Sequence, residues 1–185
     1  MKNGTRTTQQ EITDCGQYRP VREFSHLEEF IDNLPYILMA LIGSVVVFLS
    51  FSGPQWRMIA ALLYFAYGLV GAFWVIVFIC PYCHFYGTRS CPCGYGQIAA
   101  RLVSSKDGNQ FTKKFRKNIP VIVPLWIIPV LAGVLCLVRG FSWGFLSLLL
   151  IFILDSFVIL PILSRQYGCA HCDQQDECPW MRSKT

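Results

Sequence analysis

Charged residues are scarce in this sequence of 185 residues: they make up 15% of the chain, against 54% for hydrophobic residues. The mean hydropathy of +0.43 is higher than a water-soluble domain of ordinary charge content shows. This composition excludes a soluble globular protein. The apolar residues fall into long runs that suit lipid as their solvent, so the sequence predicts one all-α integral membrane domain.

Histidine is almost absent. None of the three histidines, His26, His84 and His171, lies in a long apolar run, which excludes a pair of histidines holding a haem inside the membrane. Recognition motifs for nucleic acid are also lacking. The net charge of +5 is concentrated on one predicted side of the membrane, and we expect no nucleic-acid partner.

Four runs are long enough to cross about 30 Å of hydrocarbon as helices. Their short connections predict two antiparallel helical hairpins. The runs are Leu34–Phe51, Met58–Cys80, Ile119–Val138 and Phe141–Leu163. The predicted divisions of the chain are an N-terminal tail with a surface helix (1–33), a four-helix membrane domain (34–163) with a loop at 81–118, and a cysteine-rich tail (164–185).

The distribution of basic residues predicts the orientation of the four helices. Fourteen of the sixteen Lys and Arg residues lie in the two termini or the loop 81–118, and only Arg57 and Arg139 lie on the other side. The positive-inside rule then places both termini and the loop in the cytoplasm. For a prokaryotic source, the lipid bilayer that surrounds the protein would be the plasma membrane.

Two short helices are predicted at the membrane surface. Ser25 and Glu28 form a capping-box pattern that begins the first of them. In the second, Phe111 and Phe115 lie four residues apart among four basic residues. This pattern is typical of an interfacial helix that contacts anionic lipid, and it also fits a solvated basic face that only enforces topology.

Cysteines form the one dense cluster of chemically active residues. Seven of the nine lie in two segments, one after the second run and one after the fourth, which the topology brings to the same cytoplasmic face. Cytoplasmic thiols are kept reduced, so we expect metal ligation and not disulfides. The candidate ligands are Cys80, Cys83, Cys91, Cys93, Cys169, Cys172 and Cys178, with His84 and His171 beside them.

The spacing allows either zinc or an iron–sulfur cluster. Cys80, Cys83, Cys169 and Cys172 would form a four-thiolate site, and the other three thiols with one histidine would form a second site. Proline follows three of the cysteines, which resembles the Cys-Pro ending of bacterial ferredoxin motifs and favours iron–sulfur. The turn Gly94-Tyr95-Gly96 is expected to let backbone amides approach the sulfur atoms.

Two other motifs are less consistent with their context. Cys80-Pro-Tyr-Cys83 matches the active-site tetrad of glutaredoxins, but here it ends a membrane helix, where the helix dipole disfavours a thiolate. Cys80 to His84 also matches the motif for covalent haem attachment, which leaves the other cysteines unexplained. Cys136, among leucines and valines, is expected to be a small apolar core residue.

Asp155 is the one acidic residue inside the fourth run. None of the four runs contains a Lys or Arg that could pair with it. We therefore expect Asp155 to be a neutral acid that faces the bundle interior. Pro120, Pro124 and Pro129 are expected to kink the third helix and free carbonyl groups. We predict that Asp155 donates to one of these carbonyls or accepts from Trp74, either as a packing contact or as a proton relay.

Three functions remain open at this point. The favoured one is an iron–sulfur electron-transfer or membrane-anchor subunit that meets a protein partner at the cytoplasmic face. The alternative is a scaffold or transporter-like protein in which zinc is structural. A membrane thiol oxidoreductase is the third, and an enzymatic activity is left undecided.

Overall fold

The computed structural model describes residues 23–169, with the side chains of residues 23–166. This part of the chain is helical and contains no strand. Short 3₁₀ turns lie at Cys80–Tyr82, Gly108–Gln110 and Ile119–Val121. The α-helices are α1 (His26–Ser50), α2 (Pro54–Phe78), α3 (Tyr95–Leu102), α4 (Phe111–Asn118), α5 (Pro124–Arg139), α6 (Trp143–Leu154) and α7 (Leu160–Leu163).

Four helical segments in the described part are long and apolar enough to cross a membrane. They are His26–Ser50, Pro54–Tyr82, Gly108–Arg139 and Trp143–Gln166. Large apolar side chains such as Leu62, Leu131 and Val138 are exposed along them, as expected for helices solvated by lipid. For the described residues, the prediction of a helical integral membrane protein with four spans is confirmed.

The first span begins at the predicted cap. The Ser25 hydroxyl accepts from the Glu28 N–H, and the Glu28 carboxylate accepts from the Ser25 N–H over 2.9 Å. The predicted surface helix is not a separate element: α1 runs without a break from His26 through the buried Pro35 to Ser50. Its polar first turns bond to the loop 81–118, through Asn33 to the Cys93 carbonyl and through Glu29 to the Gln97 side chain.

Helices α1 and α2 contact each other in opposite chain directions. The Tyr36 hydroxyl donates to the Gly68 carbonyl over 2.7 Å, while Gly43, further along α1, packs against the ring of Tyr64. Helix α1 also contacts α5 and α6. The buried core between these helices consists of Met39, Val46, Val47, Tyr64, Leu125, Leu149 and Phe152.

Prolines divide the third span and do not merely kink it. Pro120 lies in the 3₁₀ turn Ile119–Val121 and Pro124 begins α5, so α4 and α5 are separate helices. Pro129 lies within α5 and has no N–H to offer the Leu125 carbonyl four residues earlier. The hydroxyl of Tyr64 donates to that carbonyl over 2.7 Å.

The fourth span widens into a π-helical segment, Asp155–Ile159, after α6. Within it the Leu160 N–H donates to the Asp155 carbonyl, five residues back. Pro161 cannot donate in the same way to the Ser156 carbonyl, which instead accepts from the Trp126 indole over 3.2 Å. Here too, a proline-freed carbonyl is bonded by an aromatic side chain of another helix.

Candidate metal centre

The first two cysteines lie in a tight turn at the end of the second span. Cys80 begins the 3₁₀ turn Cys80–Tyr82, and the Cys83 N–H donates to the Cys80 carbonyl over 3.0 Å. The Pro81 carbonyl accepts from the backbone N–H of Lys106 over 2.8 Å. Cys80 is buried and Cys83 is half-buried. The hydrogen bond from Lys106 connects this turn to the loop that follows.

The next two cysteines bring their sulfur atoms together at the start of α3. The Sγ atoms of Cys91 and Cys93 lie 3.6 Å apart, and the Gly96 N–H donates to the Cys91 sulfur over 3.2 Å. Gly94 has a φ of +71°, a conformation that glycine adopts without strain, and this turn aims the first amides of α3 at the thiols. The predicted approach of backbone amides to sulfur is confirmed.

Gly96 is required by close packing. A Cβ atom at this position would lie 2.5 Å from the Phe85 carbonyl oxygen and 3.2 Å from the Cys91 Cβ. The Gly96 carbonyl accepts from the Gly87 N–H over 3.0 Å, so two backbone segments meet here without room for a side chain.

Hydrogen bonding shifts the pKa values of the Cys91 and Cys93 thiols in opposite directions. The hydrogen bond from the Cys93 thiol lowers the pKa of Cys91 to about 7, and the Gly96 N–H acts in the same direction against the effect of burial. The same bond, together with burial, raises the pKa of Cys93 well above its usual range. The start of α3 therefore stabilises one thiolate, which is the form that binds metals and attacks electrophiles.

The first turns of α1 form hydrogen bonds with the segment that carries Cys91 and Cys93. The Asn33 side-chain amide donates to the Cys93 carbonyl over 2.9 Å, and the Glu29 carboxylate accepts from the Gln97 side chain over 3.0 Å. The same carboxylate lies over Gly94, 3.3 Å from where a Cβ would be. Sequence reasoning missed these contacts because it assigned residues 25–33 to a separate helix on the membrane surface.

Asp32 is a second residue that the sequence did not single out. Burial raises the pKa of the Tyr95 hydroxyl, and the nearby Cys93, Tyr36, Cys80 and Asp32 side chains raise it further. Within the described side chains, the Asp32 Oδ1 atom is buried and has no hydrogen-bond partner. The one available signal was an Asp-Asn pair directly before the apolar run of α1.

The described thiols between residues 80 and 93 lie close enough for their charges to influence one another. Cys80 lies within electrostatic range of Cys83 and Cys91, whereas the exposed His84 packs its ring edge-on against Phe85, with 5.9 Å between ring centroids. Among residues 23–166, no three Cys, His, Asp or Glu side chains meet in a group that could hold a metal ion. The side chain of Cys169 and the predicted ligands His171, Cys172 and Cys178 lie outside the described residues.

Asp155 is buried in the bundle, with 4% of its surface exposed. The predicted hydrogen bond from Trp74 is wrong: in the described part of the chain, neither the Asp155 Oδ2 atom nor the Trp74 indole nitrogen has a partner. The freed Leu125 carbonyl is bonded by Tyr64 and not by Asp155. Cys136 is half-buried, with its sulfur 3.9 Å from the Leu49 carbonyl oxygen.

No protein-family model, curated protein or solved structure matches this chain.

Proposed function

We propose that this protein is an integral membrane subunit that carries an iron–sulfur centre on the cytoplasmic side and passes electrons between a soluble protein partner and the membrane. The observation that supports this most is the paired arrangement of Cys91 and Cys93, with sulfur atoms 3.6 Å apart and a backbone N–H from Gly96 on one of them.

This sulfur separation suits ligands of one metal centre. Thiolates at about 2.3 Å from a tetrahedral metal ion lie about 3.8 Å from one another. Backbone N–H groups that donate to ligand sulfurs stabilise the thiolate form and tune the reduction potential of a cluster. The Gly96 amide is positioned for both effects.

The proposed centre needs cysteines from both ends of the membrane domain. Cys80 and Cys83 would join Cys169 and Cys172 in one four-thiolate set. Cys91, Cys93 and Cys178, with His84 or His171, would form the second set. Binding of the metal would then cross-link the exits of the second and fourth spans.

The proposed topology is two antiparallel hairpins with both termini in the cytoplasm. The opposed contacts of Tyr36 with Gly68 and of Gly43 with Tyr64 support the first hairpin, and the charge distribution supports the orientation. Reporter domains that are active only outside the cytoplasm should be silent when fused after Asn118 or Thr185 and active after Gln55. The reverse pattern would refute the orientation.

Reduction of the purified protein tests the proposed electron transfer. We expect anaerobically purified protein to be brown, to bleach with dithionite, and to give an electron paramagnetic resonance signal in one of its two oxidation states. A colourless protein that holds zinc in the same sites would refute electron transfer and support a structural role for the metal.

Thiol chemistry is the second candidate, because Cys91 and Cys93 lie at a helix N-terminus with their sulfur atoms 3.6 Å apart. Two thiols could lose two electrons and two protons to a quinone, giving a disulfide and a quinol. Metal-free protein that forms a Cys91–Cys93 disulfide when ubiquinone is added would favour this function over the first.

A further inference from the structure

Two lysines, Lys106 before α4 and Lys114 within α4, lie near the ring of Tyr82. Tyr82 belongs to the 3₁₀ turn that Cys80 begins. The Nζ atoms of Lys106 and Lys114 each lie 5.4 Å from the centroid of this ring. Tyr82 is buried, and its neighbour Pro81 accepts the backbone N–H of Lys106 over 2.8 Å. Cation–π attraction and this backbone bond hold the two ammonium groups, here called the lysine pair, beside the end of the second span.

Helix α4 adds further positive charge to the same place. Its Phe111 is buried and, with Phe115, packs against Ile79 and Tyr82. Lys113, Arg116 and Lys117 remain exposed on the rest of the helix. Because α4 ends at Asn118, immediately before the apolar part of the third span, its basic side chains stand at the level of the lipid headgroups.

These charges have no anionic partner in the described part of the chain. The ion pair found among residues 23–166, between His26 and Glu29, involves none of them. Asp107, the nearest acidic residue in sequence, accepts a hydrogen bond from the Asn109 N–H and begins the turn before α4. An anion bound near these positive charges would therefore be stabilised by Coulomb attraction.

We propose that the lysine pair and the basic face of α4 bind the phosphate of an anionic phospholipid. The acyl chains of that lipid lie along exposed apolar side chains just inside the membrane, such as Phe78 and Val123. A lipid is favoured over an acidic protein because the charged and apolar surfaces adjoin at one membrane level, and a phospholipid satisfies both. This inference does not depend on the metal centre.

Native mass spectrometry of the full-length protein in detergent tests the site. The probes are phosphatidylglycerol and phosphatidylcholine with the same dioleoyl chains. We expect preferential retention of phosphatidylglycerol, and a loss of about 25-fold in its apparent affinity for Lys106→Gln/Lys114→Gln, from a factor of about 5 for each lysine. Lys106→Arg/Lys114→Arg keeps the charge and should retain the lipid.

The matched control is Arg89→Gln/Arg101→Gln, which removes two exposed charges from the same loop, 81–118. This variant should retain phosphatidylglycerol like the parent. Equal retention of both lipids by the parent, or equal loss in both double glutamine variants, would overturn the proposal. Displacement of the lipid by millimolar inorganic phosphate would overturn it too, because the site would then recognise free anions.

Discussion

The side-chain amide of Asn33, in the first turns of α1, donates a hydrogen bond to the carbonyl oxygen of Cys93 over 2.9 Å. The same amide donates to the Glu29 carbonyl, four residues earlier in its own helix, over 2.8 Å. One side chain therefore ties the first spanning helix to a cysteine loop that lies 60 residues further along the sequence.

Asn33→Ala is expected to loosen the cysteine loop. Loss of the bond to Cys93 should cost about 1 kcal/mol and speed hydrogen exchange at the amides of residues 93–97. Asn118→Ala is the matched control, because Asn118 makes a similar bond to its own helix, at Lys114, and belongs to α4. Equal exchange rates at residues 93–97 in the parent and in Asn33→Ala would contradict the proposed role of the Asn33 hydrogen bond.

Gly96→Ala is expected to disrupt the same loop more strongly. The added Cβ would lie 2.5 Å from the Phe85 carbonyl oxygen, so the backbone must shift and the N–H bond to the Cys91 sulfur is lost. We expect a destabilisation of about 1–3 kcal/mol, measured by thermal unfolding in detergent. Gly144→Ala has no heavy atom within 4 Å of the new Cβ and should show no such loss. Unchanged stability in Gly96→Ala would show that the close packing is wrong.

Tyr64 and Pro129 should be energetically coupled. Tyr64→Phe leaves the Leu125 carbonyl without its donor inside the bundle, at an expected cost of about 1–2 kcal/mol. In a Pro129→Ala background, the new N–H of residue 129 can donate to that carbonyl, so the same substitution should cost clearly less. A double-mutant cycle measured by unfolding in detergent tests this. Equal costs in the two backgrounds would rule the coupling out.

The local features of this fold could be predicted from the sequence, whereas its long-range contacts could not. Apolar run length identified the four spans, and Ser25 with Glu28 identified the start of α1, because each depends on residues close together in the chain. Pro129 indicates that a carbonyl is freed, but the side chain that bonds it depends on how α2 packs against α5. Asp32 was missed for the same reason: its burial depends on how the cysteine loop folds back on α1.

Asp155→Asn is expected to leave the fold intact, because the amide has the shape of the neutral acid expected inside the bundle. Infrared difference spectra between the parent and Asp155→Asn should show the loss of a protonated carboxylic-acid band. Asp107→Asn, at an exposed turn outside the apolar spans, should show the loss of a carboxylate band. A carboxylate band lost in Asp155→Asn would mean that the residue is ionised, and the prediction of a neutral acid would then be wrong.

The central claim, that cysteines from both ends of the membrane domain hold one metal centre, is tested most directly by elemental and acid-labile sulfide analysis of anaerobically purified protein. The parent and Cys136→Ser are expected to contain the same amount of iron as each other and the same amount of sulfide. Cys80→Ser and Cys169→Ser are each expected to lose the iron and sulfide of the shared centre, because one missing thiolate breaks a four-ligand site, and to keep only what the second set binds. Full retention of metal by both variants, or a parent that contains no metal, would contradict the claim.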